Sequence, residues 1–314
     1  MSSQAPETES QKKALQREIS FQHSQNLPSV LQELHGSLLI STYQAGKVVV
    51  LAAPQGKLDL SFHNTVLVDD INTTTSFYPA PSLLTDVGGT LFYTADDGIH
   101  GTQLWKSDGT AAGTFMVADD FIGYSGGPSH IFNLTNVNGT LFFTADDGIH
   151  GTELWKSDGT AAGTVMVDDI NPGSYGSFDY SGNFTNVNGT VFFSANDGTH
   201  GAELWKTDGT AAGTVMVDDI DPGSDGSWPG ELTNVSCTLF FTANDGTNGY
   251  ELWKTDDTAA GTVMVKDINP GTYINILGQT YANSSNPYAL TNVNGTLFFT
   301  AYDHIPQPSP LVAE

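Results

Sequence analysis

An eight-residue motif occurs four times in this chain and constrains its fold more than any other feature. It reads QLWKSDGT at 103–110, ELWKSDGT at 153–160, ELWKTDGT at 203–210 and ELWKTDDT at 251–258. The tryptophans of the four motifs, which lie 50, 50 and 48 residues apart, are Trp105, Trp155, Trp205 and Trp253. The surrounding residues recur too, and a fifth, partial copy begins at Leu290. A fixed period of this length is typical of an array built from one repeated structural unit.

Each copy divides into four short strand-like segments joined by turn sequences. In the second copy the segments are LTNV, TLFFTA, ELWKS and TVMVDDI. Asn138 and Gly139 separate the first two segments and form a strong hairpin signal. Four antiparallel strands in about 50 residues is the pattern of a β-propeller blade. A β-solenoid is the alternative, but its coils usually take about 20–30 residues.

The repeats predict an all-β fold, a β-propeller of about five four-stranded blades of about 50 residues each. The runs TLFF and TVMV lack polar alternation, which favours strands covered on both faces by neighbouring blades. Thr65–Ile71 reads like the last strand of a repeat. We expect it to complete one shared closing blade with 290–301, aided by Ser37–Ala53, because an open array would expose sheet edges.

The unit resembles the ELWxxDGT repeat family of bacterial proteins over residues 65–303. That resemblance implies a repeat β-fold and brings no catalytic residues. Residues 27–64 lack the motif, and their stretch SLLISTYQAGK resembles the opening of a propeller-like bacterial family of unknown function. We therefore expect a foreign N-terminal β segment at 27–64 before the repeat region at 65–303. We also expect residues 1–26 to be a polar, disordered or short-helical tail and 304–314 to be a divergent C-terminal tail.

The amino-acid composition limits the classes of partner that the protein can bind. The formal net charge is −25, from 35 acidic and 10 basic residues. A surface this acidic repels phosphate groups, so we expect no nucleic acid and no membrane insertion. No run approaches the ~18 apolar residues of a transmembrane helix. The N-terminus lacks the apolar core of a signal peptide, which predicts a cytoplasmic protein or one exported without a cleaved N-terminal signal.

Acidic residues recur in the loops that follow the second strand of each repeat. The candidates for calcium ligands are Asp96, Asp97, Asp146, Asp147, Asp197 and Asp245. Calcium prefers such oxygen-rich loops, but the DxDxDG pattern of an EF-hand is absent. The alternative is that Asp and Asn serve here as turn formers. Histidines recur at one repeat position, so they would form a ring around a propeller instead of converging on one ion.

Catalytic signatures such as GxSxG, HExxH and GxxxxGK[ST] are absent from the sequence, and we assign no catalytic or cofactor-binding residue. Nearly identical blades would bring identical residues to a central channel, whereas a catalytic site needs unlike ones. We therefore expect a monomeric, non-catalytic scaffold that binds a protein or carbohydrate in a bacterial surface or secreted assembly. The alternatives are a propeller hydrolase or lyase with a central-channel site, and a truncated or recombined gene product without an independent role.

Overall fold

The protein is described by a computed structural model that covers residues 37–41, 47–52, 65–71, 81–121, 131–178 and 184–303. The chain divides into two compact units, Met1–Ile40 with Val50–Val66, and Ser41–Val49 with Leu67–Glu314. The predicted tails 1–26 and 304–314 lie outside the described residues. Within the described ranges, no helix is long and apolar enough to span a membrane.

Four antiparallel four-stranded sheets follow one another along the chain, and we call them the first to fourth blades. The first blade consists of β4 (Ser82–Val87), β5 (Thr90–Asp96), β6 (Thr102–Ser107) and β7 (Phe115–Ala118). The second consists of β8 (Phe132–Val137), β9 (Thr140–Asp146), β10 (Thr152–Ser157) and β11 (Val165–Asp168). The third consists of β12 (Thr185–Val187), β13 (Thr190–Asn196), β14 (Ala202–Thr207) and β15 (Val215–Asp218). The fourth consists of β16 (Gly230–Val235), β17 (Thr238–Asn244), β18 (Tyr250–Thr255) and β19 (Val263–Lys266).

Smaller sheets flank these blades. Three strands precede them in one sheet: β1 (Ser37–Ser41), β2 (Lys47–Ala52) and β3 (Thr65–Asp70). Two hairpins follow the fourth blade: β20 (Thr272–Ile274) with β21 (Thr280–Ala282), and β22 (Tyr288–Val293) with β23 (Thr296–Thr300). Short 3-10 turns at Ala211–Gly213 and Ala259–Gly261 precede β15 and β19. Counting β1–β3 and β22–β23, six blade-type sheets are present, close to the five expected, and the predicted all-β propeller class is confirmed.

The residue types of the two-residue turn between the first and second strands of a blade explain its conformation. Asn138 and Gly139 have φ angles of 52° and 87°, the left-handed pair that a tight hairpin turn requires. The Asn136 side chain accepts a hydrogen bond from the Gly139 N–H at 3.0 Å, which closes the turn. In the fourth blade Ser236 and Cys237 adopt φ angles of 51° and 70°. The repeat therefore imposes this turn even where glycine is missing.

Apolar side chains between successive blades form the core. Phe92 and Leu104 of the first blade pack with Leu141, Phe143 and Trp155 of the second. Equivalent clusters join the second blade to the third and the third to the fourth. Trp155 is only 8% exposed and belongs to the cluster between the first two blades, so it is a packing residue. Full burial of such a side chain contributes about 1.5–3 kcal/mol, and the repeat multiplies that contribution.

Polar side chains connect the same blades at two levels. In the first strands, Asn136 Nδ2 donates to the Asp86 carbonyl oxygen at 2.8 Å, and Asn234 Nδ2 to that of Asn186 at 2.9 Å. In the third strands, Lys156 Nζ donates to the Gly209 carbonyl oxygen of the next blade at 2.7 Å. The Asn of LTNV and the Lys of ELWK therefore hold one blade against the next.

The predicted shared closing blade is not formed. The structure places β3 beside β2, and β22 and β23 form a separate two-stranded sheet. The strands β1 and β2 lie in one sheet with β3 and are close to it in sequence. Pairing these neighbours costs less loop-closure entropy than pairing β3 with a strand more than two hundred residues away. On the last hairpin, Phe298 is 57% exposed, whereas its counterpart Phe142 in the second blade is 4% exposed.

Candidate functional site

The acidic loops after the second strands are closed by their own side chains. Asp147 Oδ1 accepts hydrogen bonds from the backbone N–H groups of Ile149 and His150, both at 2.9 Å. Its Oδ2 lies 2.7 Å from His150 Nδ1. Burial opposes ionisation of Asp147, but the hydrogen bonds from His150 and Ile149 outweigh it and lower the pKa of the carboxyl. The hydrogen bond to Asp147 in turn raises the pKa of the His150 imidazole.

The same arrangement recurs in the other copies of this loop. Asp97 and Asp197 bond their histidines at 2.6 and 2.7 Å, and in the fourth blade Asn248 Nδ2 donates to Asp245 Oδ2 at 2.7 Å. Asp96 and Asp146 accept hydrogen bonds from the N–H groups of the glycines two residues later. Across the described ranges, no group of three or more His, Cys, Asp or Glu side chains is placed to share a metal ion. The geometry is that of turn formation, and calcium binding by these loops stays a prediction.

A buried glutamate lies at the first position of the ELW motif. Glu153, Glu203 and Glu251 are 0% exposed. Glu153 Oε2 accepts hydrogen bonds from Ser177 Oγ at 2.6 Å and from the Ile170 N–H at 3.2 Å. This carboxylate therefore ties the third strand to the linker that leads to the next blade. Burial raises the pKa of Glu153 to about 7, in spite of these hydrogen bonds.

The linkers that these glutamates hold lead to a cavity of 720 Å³. Residues from the second, third and fourth blades and from the two linkers between them line it. The lining residues used below are Asp146, Tyr175, Ser194, Asn196, Trp228 and Glu231. A concave space of several hundred Å³ with convergent polar groups is the usual form of a ligand site.

Two aromatic side chains at the cavity are exposed. Tyr175 is 94% exposed and Trp228 is 49% exposed. Trp228 Nε1 donates to the Asp225 carbonyl oxygen at 2.9 Å, which fixes the orientation of the indole. The φ angle of Trp228 is 51°, an unusual conformation for a bulky residue. Backbone strain of this kind is concentrated at functional sites.

These aromatic residues stand at positions where the two linkers differ. The linker after the second blade reads NPGSYGSF at 171–178, and that after the third reads DPGSDGSW at 221–228. Tyr175 therefore corresponds to Asp225, and Phe178 to Trp228. Phe178 is buried, with its ring 5.9 Å from that of Phe184, whereas Trp228 is turned towards solvent. Tyr175, Phe178 and Trp228 all line the same cavity.

The polar groups of the cavity are of two kinds. Asp146 Oδ1 accepts a hydrogen bond from Gly148, and Glu231 Oε2 accepts one from the Leu290 N–H at 3.2 Å. Asn196 Oδ1 is likewise bonded to the Gly198 N–H, but its Nδ2 has no hydrogen-bond partner among the described residues. The Tyr175 hydroxyl also lacks a partner within that part of the chain. The cavity therefore offers amide and hydroxyl groups to a ligand.

Of the six residues singled out in the acidic loops, only Asp146 lines this cavity. The others stay in their separate loops, one set to each blade. Sequence reasoning missed Tyr175, Trp228 and the buried glutamates. A signal for the aromatic pair exists in the alignment of the two linkers, because they differ at so few positions. The glutamate signal is weaker, since a Glu in a strand reads as a solvent-facing residue.

No protein-family model matches this chain, and no curated protein is similar to it in sequence. Among solved structures, puromycin hydrolase is 16% identical with a TM-score of 0.44, covering 80% of this chain and 40% of the hydrolase. A prolyl endopeptidase is 11% identical with a TM-score of 0.40, covering 78% and 36%. TolB from Agrobacterium tumefaciens is 10% identical with a TM-score of 0.35, covering 73% and 76%.

The chain thus spans less than half the length of the hydrolase and endopeptidase chains that it matches. At these identities and TM-scores the alignments carry no argument about activity. The architecture rests on the sheet topology, and any function must be argued from the cavity itself.

Proposed function

We propose that this protein is a non-catalytic binding scaffold whose ligand, a protein segment or a carbohydrate, occupies the cavity beside Trp228. The observation that carries the proposal is the pair of exposed aromatic residues, Tyr175 and Trp228, at one cavity of 720 Å³. A soluble chain gains nothing in stability from an exposed indole in a strained conformation. A ligand that covers the ring provides the compensating gain.

The carboxylates of the cavity support binding over catalysis. Asp146 and Glu231 each hold a backbone N–H group through one oxygen, which is a structural use of the side chain. A general acid or base works best when its environment tunes its pKa to the reaction. The carboxyl whose pKa is raised to about 7, Glu153, is fully buried and bonded to the linker, so a ligand cannot reach it.

An array of immobilised glycans and peptides probed with the full chain tests this proposal. The cavity variant Ser194→Leu fills space at the cavity wall, while Ser224→Leu makes the same chemical change at an exposed linker position outside the cavity. We expect array ligands to lose binding to Ser194→Leu and to retain it with Ser224→Leu. Thermal melting of both variants checks that each is folded.

Two results would contradict the proposal. The first is binding that survives Ser194→Leu at wild-type strength, which would place the ligand elsewhere. The second is chemical conversion of a bound ligand, detected by mass spectrometry after incubation with the full chain. Conversion would make the protein an enzyme.

A further inference from the structure

We infer that the cavity ligand is a neutral oligosaccharide, with the Trp228 indole as the platform for one sugar ring. This inference rests on the proposed function and narrows it to one ligand class. It is carried by three features of the cavity: the fixed orientation of an exposed indole, the kind of polar group left free, and the sign of the surrounding charge.

The indole offers a flat apolar surface in a polar setting. A pyranose ring has a face of C–H groups bordered by hydroxyls, so it can pack on an aromatic ring and keep its polar edge in contact with water or protein. Trp228 is already held by its bond to the Asp225 carbonyl oxygen, so little side-chain entropy is lost when a ligand covers it. Tyr175 supplies a second exposed ring with a free hydroxyl at the same cavity.

The polar groups that line the cavity are complementary to sugar hydroxyls in their hydrogen bonding. Asn196 Nδ2 donates, while the Ser194 and Tyr175 hydroxyls donate or accept. A sugar hydroxyl also does both, so each of these groups finds a partner whichever way the hydroxyl is turned. A purely apolar peptide side chain would leave the same groups dehydrated without partners, which costs free energy.

Charge favours a neutral sugar over an acidic one. The chain carries a formal charge of −25, and Asp221, on the same linker as Trp228, has its pKa raised by burial and by the neighbouring carboxylates of Asp225, Asp245 and Asp219. An anionic polysaccharide such as a polyuronate would add to this repulsion. A neutral hexose or N-acetylhexosamine chain avoids it.

The test titrates the full chain with cellohexaose, xylohexaose, mannohexaose and chitohexaose, and with an oligogalacturonate as the anionic comparison. Intrinsic fluorescence reports binding, because Trp228 is the tryptophan that is most exposed to solvent in the described ranges. Calorimetry gives the affinity. We expect at least one neutral sugar to bind, and Trp228→Ala to weaken it roughly tenfold or more. Trp228→Phe, which keeps a ring, should recover most of the affinity.

Tyr281→Ala is the matched control, since Tyr281 is 44% exposed, stacks on Tyr273 and lies outside the cavity. It should bind the sugar as the wild type does. Tight binding of a peptide from the array, lost in Ser194→Leu, with no neutral sugar bound, would overturn the carbohydrate inference and leave the scaffold proposal standing. Sugar binding that is indifferent to Trp228→Ala would also overturn the inference. Failure of every glycan and peptide to bind would overturn both.

Discussion

Replacing Glu153 by glutamine should remove a pH dependence from the stability of this protein. Burial raises the pKa of Glu153 to about 7 in the folded state, compared with an ordinary value of 4.5. The folded protein therefore holds a proton that the unfolded chain has already released. Its contribution to stability is fully present below about pH 4.5 and is lost as the pH rises through 7.

The magnitude follows from the difference between these two pKa values, 7 − 4.5 = 2.5. At 1.36 kcal/mol for each pKa unit, the free energy of unfolding should fall by about 3 kcal/mol between pH 4.5 and 8 because of Glu153 alone. The first blade shows that an amide fits this position. Gln103 is 2% exposed there and donates to the Phe121 carbonyl oxygen at 2.7 Å.

The assay is urea denaturation of wild type and Glu153→Gln at pH 5 and pH 8, followed by circular dichroism. Other titrating groups are common to both proteins and cancel in the difference between them. We expect the wild type to lose about 2.5 kcal/mol relative to the variant on going from pH 5 to pH 8. A difference between wild type and Glu153→Gln that stays constant with pH would refute the reasoning.

Three further results are expected. Trp155→Ala should destabilise the protein by about 3–5 kcal/mol in denaturant titrations, because it empties part of the core between two blades; a loss below 1 kcal/mol would contradict that packing role. Cys237→Gly should raise the free energy of unfolding by about 1 kcal/mol, because it relieves a left-handed conformation, whereas Gly139→Ala at the equivalent turn should lower it. If the acidic loops only form turns, calcium and magnesium should raise the melting temperature by similar small amounts, and sodium chloride should mimic them. A shift seen with calcium alone and lost in Asp147→Asn and Asp197→Asn would instead establish a metal site.

Much of the fold could be predicted because the residues of each repeat determine its local structure. The Asn138–Gly139 turn sets the register of the strands on either side, and the apolar runs decide which strands are covered on both faces. The partner of β3 could not be predicted in this way. Its sequence fits the last strand of a repeat. The nearby strand β2 nevertheless offers β3 a sheet edge, and pairing with that edge costs less loop-closure entropy.

The site was harder to predict, for a physical reason. Searching for repeated acidic residues found Asp147 and its equivalents. In every copy the Oδ1 atom accepts backbone N–H groups and the Oδ2 atom contacts a His or Asn side chain. A turn needs such a residue in each repeat, so repetition marks structure. The glutamate of ELW is another example, because its burial depends on a linker serine some twenty residues later.

The residues that distinguish this cavity are those that break the repeat. Identical blades stack well because identical faces fit one another, and a change at a packed position costs stability. The side chains of Tyr175 and Trp228 are exposed at the cavity, so a change of either one leaves the blade interfaces intact. Exchanging the two linkers' aromatic residues, Trp228→Phe with Phe178→Trp, should lower the free energy of unfolding by about 1–3 kcal/mol, because Phe178 is buried between the second and third blades and the larger indole overpacks its site. Ligand binding in this double variant should change, because the linker after the third blade then no longer carries an exposed indole. Unchanged binding would show that the difference between the linkers has no functional role.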